Sequence, residues 1–171
     1  ILFWEWEYIN SPKKFNREGD LYSLSSDNGY NNINAFSSVL LTNSMKLKVQ
    51  FYDCTSFGCG GFGILSKDDP IFQSENFGNS GSHPLFCLCC NGPWSAKYMN
   101  TKSGEVMQYR LKKAEKKVIT FEMNDDWFKV YDPEEELYAD FDTNQLLFKD
   151  NLVLVYYSGS NVVQSHEILM E

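Results

Sequence analysis

The chain has 171 residues, of which 43% are hydrophobic and 16% aromatic, and its formal net charge is −8. Disordered segments are poor in aromatic residues, so this composition predicts a folded chain, and the length fits one domain with one hydrophobic core. The negative charge argues against a nucleic-acid-binding surface, because affinity for phosphates comes from clustered Lys and Arg.

Short apolar runs separated by turn residues predict a series of strands. The clearest alternation is at Met45–Tyr52, where Leu, Val and Phe alternate with Lys, Lys and Gln, which is typical of a half-buried strand. In chain order, the predicted strands are Ile1–Ile9, Asp20–Leu24, Phe36–Leu41, Met45–Tyr52, Gly60–Leu65, Leu85–Cys90, Glu105–Leu111, Val118–Met123, Trp127–Tyr131, Leu137–Phe141, Leu152–Tyr157 and Val162–Leu169.

Three stretches carry more specific signals. The turn Asn124–Asp126 predicts a hairpin between its two flanking strands. The unbroken apolar run Leu152–Tyr157 predicts a strand covered on both faces. Lys67–Pro84 is the longest irregular stretch, and a loop of this length inside a domain is usually functional or mobile.

The spacing of turn signals, about eight to twelve residues, predicts an all-β sandwich or barrel. The only helix-like stretch, Lys112–Lys117, is too short and too charged to bury a face, and reads as a solvated turn. With no internal repeat or linker, residues 1–171 form one predicted domain. Because the first residue is not Met, we expect this domain to be a piece of a longer protein.

The order of several stretches along the chain carries a family resemblance. These stretches are Phe3–Trp4, Leu21–Leu24 and Asp27–Asn32 at the start, Phe36–Val39, Leu47–Phe51 and Gly61–Ser66 in the middle, and Lys117–Met123, Trp127–Tyr131, Leu152–Tyr157 and Val162–Ile168 at the end. In this order they resemble the SPRY (B30.2-like) domain family, in its divergent form from single-celled eukaryotes. Met45–Val49 departs from the Tyr-Trp-Glu-Val-like strand of the commoner animal form.

The resemblance implies a bent antiparallel β-sandwich of the SPRY or concanavalin-like jelly-roll type. It also implies a non-catalytic recognition module that presents loops at one edge to a protein or peptide and needs no cofactor. Aromatic loop residues suit such contacts, because they bury much area at little entropic cost. The candidate ligand-binding residues are Tyr30, Asn31 and Asn32, then Thr55, Ser56 and Phe57 in the loop from Thr55 to Cys59, and finally Trp94 and Tyr98.

Two other functions compete with this interpretation. Glu5 and Glu7 lie two residues apart between aromatic residues, so on a strand both carboxylates point to one face, as in some glycoside hydrolases. A terminal strand with a solvated charged face is the simpler explanation of this pair. The alternatives are therefore a carbohydrate-binding, lectin-like sandwich, with or without hydrolysis, and a structural part of a large cytoskeletal or ciliary assembly.

The cysteines, at 54, 59, 87, 89 and 90, indicate free thiols. Their odd number and the tight cluster Cys87–Cys90 do not suit a disulfide framework, and no Asn-x-Ser/Thr acceptor occurs, so we expect an intracellular, cytoplasmic protein. The spacing does not suit zinc. His83 near Cys87 is weak evidence for a thiol enzyme, and we expect no catalytic or metal residue.

Charge and hydropathy restrict the partners further. The acidic run Asp132–Asp142 lacks the Gly of a calcium loop and reads as a solvated turn, with docking of a basic partner as the alternative. No apolar run reaches the roughly 18 residues needed to cross a bilayer, so no membrane partner is expected.

Overall fold

Strands dominate the part of the chain described by the computed structural model, which comprises residues 4–9, 11, 13–24, 33–42, 44–56, 60–73, 85–88, 95–98, 107–110, 118–131, 137–158 and 162–171. In chain order these strands are β1 (Trp6–Tyr8), β2 (Asn16–Glu18), β3 (Leu21–Leu24), β4 (Ile33–Ser37), β5 (Lys46–Ser56), β6 (Gly60–Ser66), β7 (Leu85–Leu88), β8 (Ser95–Tyr98), β9 (Met107–Arg110), β10 (Val118–Met123), β11 (Trp127–Tyr131), β12 (Leu137–Asp142), β13 (Leu152–Ser158) and β14 (Val162–Met170), with 3₁₀ turns at Pro70–Gln73 and Thr143–Gln145. None of the helices within these residues is long and apolar enough to span a membrane.

The strands form two antiparallel sheets of seven strands each. The order in the first sheet is β1-β4-β13-β6-β7-β8-β9, and the order in the second sheet is β12-β11-β10-β5-β14-β3-β2. Half of the neighbouring strands are not consecutive in sequence, and the chain passes repeatedly between the two sheets. The predicted fold class, an all-β antiparallel sandwich, is confirmed.

The inner faces of the two sheets form one hydrophobic core. On β5, Leu47 and Val49 are buried, whereas Lys46, Lys48 and Gln50 are partly exposed, which confirms the predicted alternation. The second sheet contributes Tyr22, Leu24, Leu47, Val49, Phe121, Met123, Phe128 and Val130, and the first sheet contributes Trp6, Ile33, Ala35, Phe62, Ile64, Leu152, Leu154 and Tyr156.

Strand β13 is covered on both faces, as its apolar sequence predicts. Alternate residues of this strand enter the core between the sheets. Val153 and Val155 face the other way and form a second buried cluster with Phe36, Leu65 and Phe72. Phe72 belongs to the 3₁₀ turn after β6, so this turn covers the outer face of the first sheet.

The predicted hairpin is also confirmed. Strands β10 and β11 pair with Thr120 opposite Tyr131 and Met123 opposite Phe128. In the turn between them, the Asn124 backbone N–H donates to the Trp127 carbonyl at 2.9 Å. The Asn124 side-chain oxygen accepts from the backbone N–H of Asp126 at 3.0 Å, which explains why Asn suits this position.

The third predicted strand, Phe36–Leu41, is wrong in its bounds, because β4 runs from Ile33 to Ser37. Every side chain of β4 is buried, including the polar Asn34 and Ser37. Because the polar Asn34 interrupts the apolar residues at the start of β4, the prediction placed the start of this strand too late, at Phe36. At Ser37 the ladder ends: the Ser37 hydroxyl donates to the Val39 carbonyl at 2.7 Å and accepts from the Leu154 N–H at 3.1 Å.

Two strands were not predicted, and one was predicted too long. All three residues of β2 are exposed at the edge of the second sheet, and without apolar residues they give no strand signal. The short β8 has only a weak alternation. Of the predicted strand Ile1–Ile9, the first three residues lie outside the described part, and within residues 4–9 strand β1 is Trp6–Tyr8. In Lys67–Pro84 the structure has the turn Pro70–Gln73, while residues 74–84, and likewise Lys112–Lys117, lie outside the described part.

Candidate functional site

Several strand ends meet at one end of the first sheet. Ile33, the first residue of β4, pairs with Ser158, the last residue of β13. Ser158 also pairs with Gly60, the first residue of β6, and Gly60 pairs with Leu88, the last residue of β7. Strand β8 starts beside this row, since Ser95 pairs with Cys87.

The second sheet ends at the same place. Ser56, the last residue of β5, pairs with Val162, the first residue of β14, and Leu24 at the end of β3 pairs with Gln164. Only three residues, 57–59, separate Ser56 from Gly60 in the first sheet, and three more, 159–161, separate Ser158 from Val162. Packed sheets are about 10 Å apart, and a connection of three residues is only long enough to span that distance. The strand ends of the second sheet must therefore lie directly opposite those of the first sheet.

We call this the crossover end. Connections that pass between the sheets there include residues 25–32 between β3 and β4, 57–59 between β5 and β6, and 159–161 between β13 and β14, as well as those from β1 to β2 and from β9 to β10. The connection 89–94 between β7 and β8 starts and finishes at the same end. Several segments that are distant in sequence are thus attached to neighbouring strand ends.

Most of the predicted ligand-binding residues belong to these connections. They lie outside the described residues, and the structure describes only the strand ends on either side of them, at the crossover end. The residues concerned are Tyr30, Asn31 and Asn32 in the connection 25–32, Phe57 in 57–59, and Trp94, which immediately precedes β8. Their role in binding stays a prediction.

Thr55, Ser56 and Tyr98 were predicted in loops, and this part of the prediction is wrong. Thr55 and Ser56 are the last two residues of β5 and pair with β14, so they border the crossover end as strand residues. Tyr98 is the last residue of β8 and pairs with Met107. It lies three residues beyond Ser95, which is about 10 Å from the crossover end along the strand.

The carboxylate pair Glu5 and Glu7 is exposed on the outside of the first sheet's edge. Glu5 accepts a hydrogen bond from the Arg17 guanidinium at 3.2 Å, and both partners of this ion pair are largely solvent-accessible. Trp4 and Trp6 are buried instead. Both carboxylates face solvent, and Glu5 is held in an exposed ion pair, which is not the enclosed site that a general acid usually occupies.

The cysteines offer no described thiol cluster. Cys54 lies in β5 and Cys87 in β7, whereas Cys59, Cys89, Cys90 and the predicted partner His83 lie outside the described residues. Within the described part of the chain, no group of three or more His, Cys, Asp or Glu side chains is placed to hold a metal ion.

The second histidine, His166, belongs to the core. It is fully buried on β14, and its Nε2 accepts a hydrogen bond from Trp6 Nε1 at 3.1 Å. The Tyr22 ring stacks on it at 5.6 Å between centroids, and the Phe15 ring contacts it edge-on at 5.1 Å. Burial lowers its pKa from 6.5 to about 3, so the ring is neutral and joins β1 to β14.

The outer face of the second sheet carries a row of alternating charges. Residues 132–136 of the acidic run lie outside the described part of the chain, and Asp140 pairs with Lys129, which pairs with Glu122. Glu122 in turn pairs with Lys46, whose Nζ lies 3.7 Å from a Glu171 carboxylate oxygen. Opposite charges on neighbouring strands stabilise a sheet, and each carboxylate of this row lies beside a lysine, as expected for a solvated polar surface.

The sandwich has counterparts among solved structures. The chain is similar to the PSpry domain of TRIM65, with a TM-score of 0.61, 14% identity, and coverage of 96% of this chain and 88% of that chain. It is similar to a legume lectin-like domain from Entamoeba histolytica, with a TM-score of 0.61, 7% identity, and coverage of 98% and 89%. For carbohydrate binding module CBM66 from Bacillus subtilis, the TM-score is 0.56, the identity 15%, and the coverage 97% and 94%.

At these identities the likeness shows the fold alone. It establishes a β-sandwich of the kind shared by a SPRY domain, a lectin-like domain and a carbohydrate-binding module. Comparisons with protein-family models and with curated proteins found no match.

Proposed function

We propose that the chain is a divergent SPRY-type module that recognises a protein or peptide partner at the crossover end, without catalysis. The observation that carries the proposal is that the four connections with the predicted binding residues or beside them all start and finish at strand ends of the crossover end. Loops held by a rigid scaffold are the usual place for binding residues. Here the scaffold includes β13, the strand buried on both faces.

The residue types in these connections support a recognition role. Tyr30, Phe57 and Trp94 are large aromatic residues, and Asn31 and Asn32 offer amide donors and acceptors. Tyr and Trp dominate binding hot spots because they bury large areas with few rotatable bonds, while Asn supplies adaptable hydrogen bonds. Thr55 and Ser56 add hydroxyl-bearing residues at the border of the same end.

The lack of catalysis and the location are part of the proposal. The strongest candidate acid pair, Glu5 and Glu7, faces solvent, and Glu5 is neutralised by Arg17. The odd number of cysteines and the absence of an Asn-x-Ser/Thr acceptor support an intracellular location. The negative net charge favours a basic partner over an acidic one.

A peptide-display selection on the isolated chain, followed by calorimetric measurement of Kd for one selected peptide, tests the proposal. We expect Tyr30→Ala and Trp94→Ala each to weaken binding about ten-fold or more, as for hot-spot aromatics. Tyr52→Ala is the matched control, because Tyr52 is an exposed aromatic residue on β5 that lies on the outer sheet face. Unchanged Kd for both crossover-end variants, with folding intact, would overturn the proposal.

Carbohydrate binding is the second candidate. It is supported by the likeness to CBM66 and to the legume lectin-like domain. The legume lectin-like domain has the same TM-score, 0.61, as the SPRY domain. A glycan array with the wild-type chain distinguishes the two functions. Retention of a glycan that Tyr30→Ala and Trp94→Ala abolish would favour this second candidate, and the absence of any retained glycan would remove it.

A further inference from the structure

The end of the sandwich opposite the crossover end is closed by residues 142–151, which we call the cap. The cap leaves β12 in the second sheet and leads into Leu152 at the start of β13 in the first sheet. Between these strands, Leu146 packs against the hydrophobic core. The cap therefore covers the core at this end and passes from one sheet to the other.

Hydrogen bonds fix the cap at both of its ends. The Thr143 hydroxyl, which is buried, donates to the Asp125 carbonyl in the β10–β11 turn at 2.8 Å. At the other end, the Asn151 carbonyl accepts from the Lys67 backbone N–H at 3.0 Å. The cap thus draws together the β10–β11 turn and the segment that follows β6.

Apolar side chains are exposed on this well-anchored segment. Leu147 and Phe148 follow the buried Leu146 directly and are 53% and 37% exposed. A third exposed apolar residue, Leu40, is 39% exposed. Its segment adjoins the end of the cap, because the N–H of the next residue, Leu41, donates to the Leu152 carbonyl at 2.7 Å. Adjacent exposed apolar residues on a fixed surface are typical of an interaction site, whereas scattered single ones are not.

The same end carries uncompensated negative charge. On the cap, the β10–β11 turn and the segment after β6, five exposed carboxylates outnumber the two exposed ammonium groups, those of Lys67 and Lys149. Within the described part of the chain, none of the five carboxylates forms an ion pair. They are Asp68 and Asp150 near the start of β13, Asp125 and Asp126 in the β10–β11 turn, and Asp142 at the start of the cap.

The hydrogen bonds of these carboxylates come from neutral donors, so they leave the charge in place. Asp142 accepts from the Asn144 backbone N–H at 2.9 Å, and Asp126 accepts from the Asn144 side-chain amide at 3.3 Å. Asp68 accepts from the Asn151 side-chain amide at 3.2 Å. These bonds hold the charges beside the cap, next to its exposed apolar side chains.

We propose that the cap, with the β10–β11 turn and Asp68, is a second interaction surface that binds a cationic peptide segment of a partner protein whose apolar side chains cover Leu147 and Phe148. The charge complementarity selects the occupant, because an anionic segment would be repelled and a neutral apolar one would leave the carboxylates without partners. This surface lies at the far end of the sandwich from the proposed recognition loops, and the inference does not depend on the proposed function.

The test uses the chain with a fluorescein-labelled peptide rich in Lys and Leu, and measures Kd by fluorescence anisotropy. Two counterparts of equal length carry Glu in place of every Lys, or Ser in place of every Leu. We expect only the Lys–Leu peptide to bind appreciably, and its Kd to rise with salt concentration. The double variants L147S/F148S and D125N/D126N should each weaken its binding about ten-fold.

Matched controls are available elsewhere on the described surface. Leu169→Ser removes an equally exposed apolar side chain from β14, and E18Q/D20N removes two exposed carboxylates beside β2. We expect both controls to change Kd less than about two-fold. Thermal unfolding of every variant checks folding, and D125N/D126N keeps side-chain oxygens that can accept the Asn144 hydrogen bond.

Three outcomes would overturn the inference. The first is equal binding of the Glu–Leu peptide, and the second is equal loss of affinity in cap variants and controls. The third is a dimer in analytical ultracentrifugation that L147S/F148S abolishes, since the occupant would then be a second copy of the chain. Tyr30→Ala and Trp94→Ala should leave binding of the Lys–Leu peptide unchanged, which separates this surface from the crossover end.

Discussion

His166 shows how one polar side chain is accommodated among aromatic rings. Trp6 is buried and needs an acceptor for its indole N–H, and the neutral imidazole provides it at 3.1 Å. The rings of Phe15, Tyr22 and Phe62 lie within 5.1–5.7 Å of the imidazole and supply no charge to balance a proton. Protonation in the folded state is therefore unfavourable, and the pKa falls to about 3.

This histidine predicts a pH-dependent stability. The unfolded chain takes up a proton at His166 below pH 6.5, while the folded chain does so only near pH 3. Stability from this group is thus full above pH 6.5 and declines as the pH falls, by about 3 kcal/mol at pH 4. Urea unfolding between pH 8 and about pH 4 measures it.

Variants of the two histidines separate the contribution of His166 to the pH dependence of stability from the contribution of the carboxylates. His166→Gln retains an acceptor for Trp6 and cannot titrate, so we expect it to remove the loss of stability between pH 6.5 and about pH 4.5. His83→Gln, the change at the other histidine, should keep the wild-type pH dependence. If both variants behave alike, His166 is not the group responsible.

Strand β13 is the element on which both hydrophobic clusters depend. Leu154 points into the core between the sheets, and Val153 points into the cluster beneath the Phe72 turn. Both side chains have no solvent exposure. Truncation on either face should therefore leave a cavity, whereas a strand with one solvated face is sensitive on only one side.

We expect Leu154→Ala to lower the free energy of unfolding by about 2–5 kcal/mol, and Val153→Ala by about 2 kcal/mol. Leu169→Ala, at an exposed position on the partly solvated β14, should change it by less than about 0.5 kcal/mol. Urea midpoints for the three variants provide the measurement. A negligible effect of Val153→Ala would show that the outer cluster is not a packed core.

The individual strands show which sequence patterns predict secondary structure correctly. The hairpin β10–β11 and the doubly covered β13 were predicted because their patterns are local and strong. The start of β4 was predicted too late because the buried Asn34 looks like a loop residue in sequence. Burial of polar residues on this strand is possible because neighbours supply hydrogen bonds, such as that from the Leu154 N–H to Ser37, and these neighbours are distant in the chain.

For the molecule as a whole, the shared core predicts cooperative unfolding. Phe62 from the first sheet and Phe121 from the second are both in the same cluster, and the chain passes between the sheets several times. Neither sheet can expose its inner face to solvent without also exposing the inner face of the other sheet. We therefore expect a single unfolding transition for the whole chain.

Far-UV circular dichroism and tryptophan fluorescence should give the same urea midpoint. Phe62→Ala and Phe121→Ala should each shift both signals together, with a loss of about 3–5 kcal/mol. Separate midpoints, or a shift of one signal alone, would mean that the two sheets unfold independently.

The sequence by itself determined the all-β class and most of the strands, the alternation on β5, the covered faces of β13, and the residue types that suit a binding loop, because period-two alternation and turn preferences are local properties. Only the tertiary structure decided the order of the strands. This order attaches the segments of Tyr30, Phe57 and Trp94 to one end and the apolar, acidic cap to the other. Strand order depends on contacts such as Trp6–His166, between residues 160 positions apart, and no local pattern encodes such a contact.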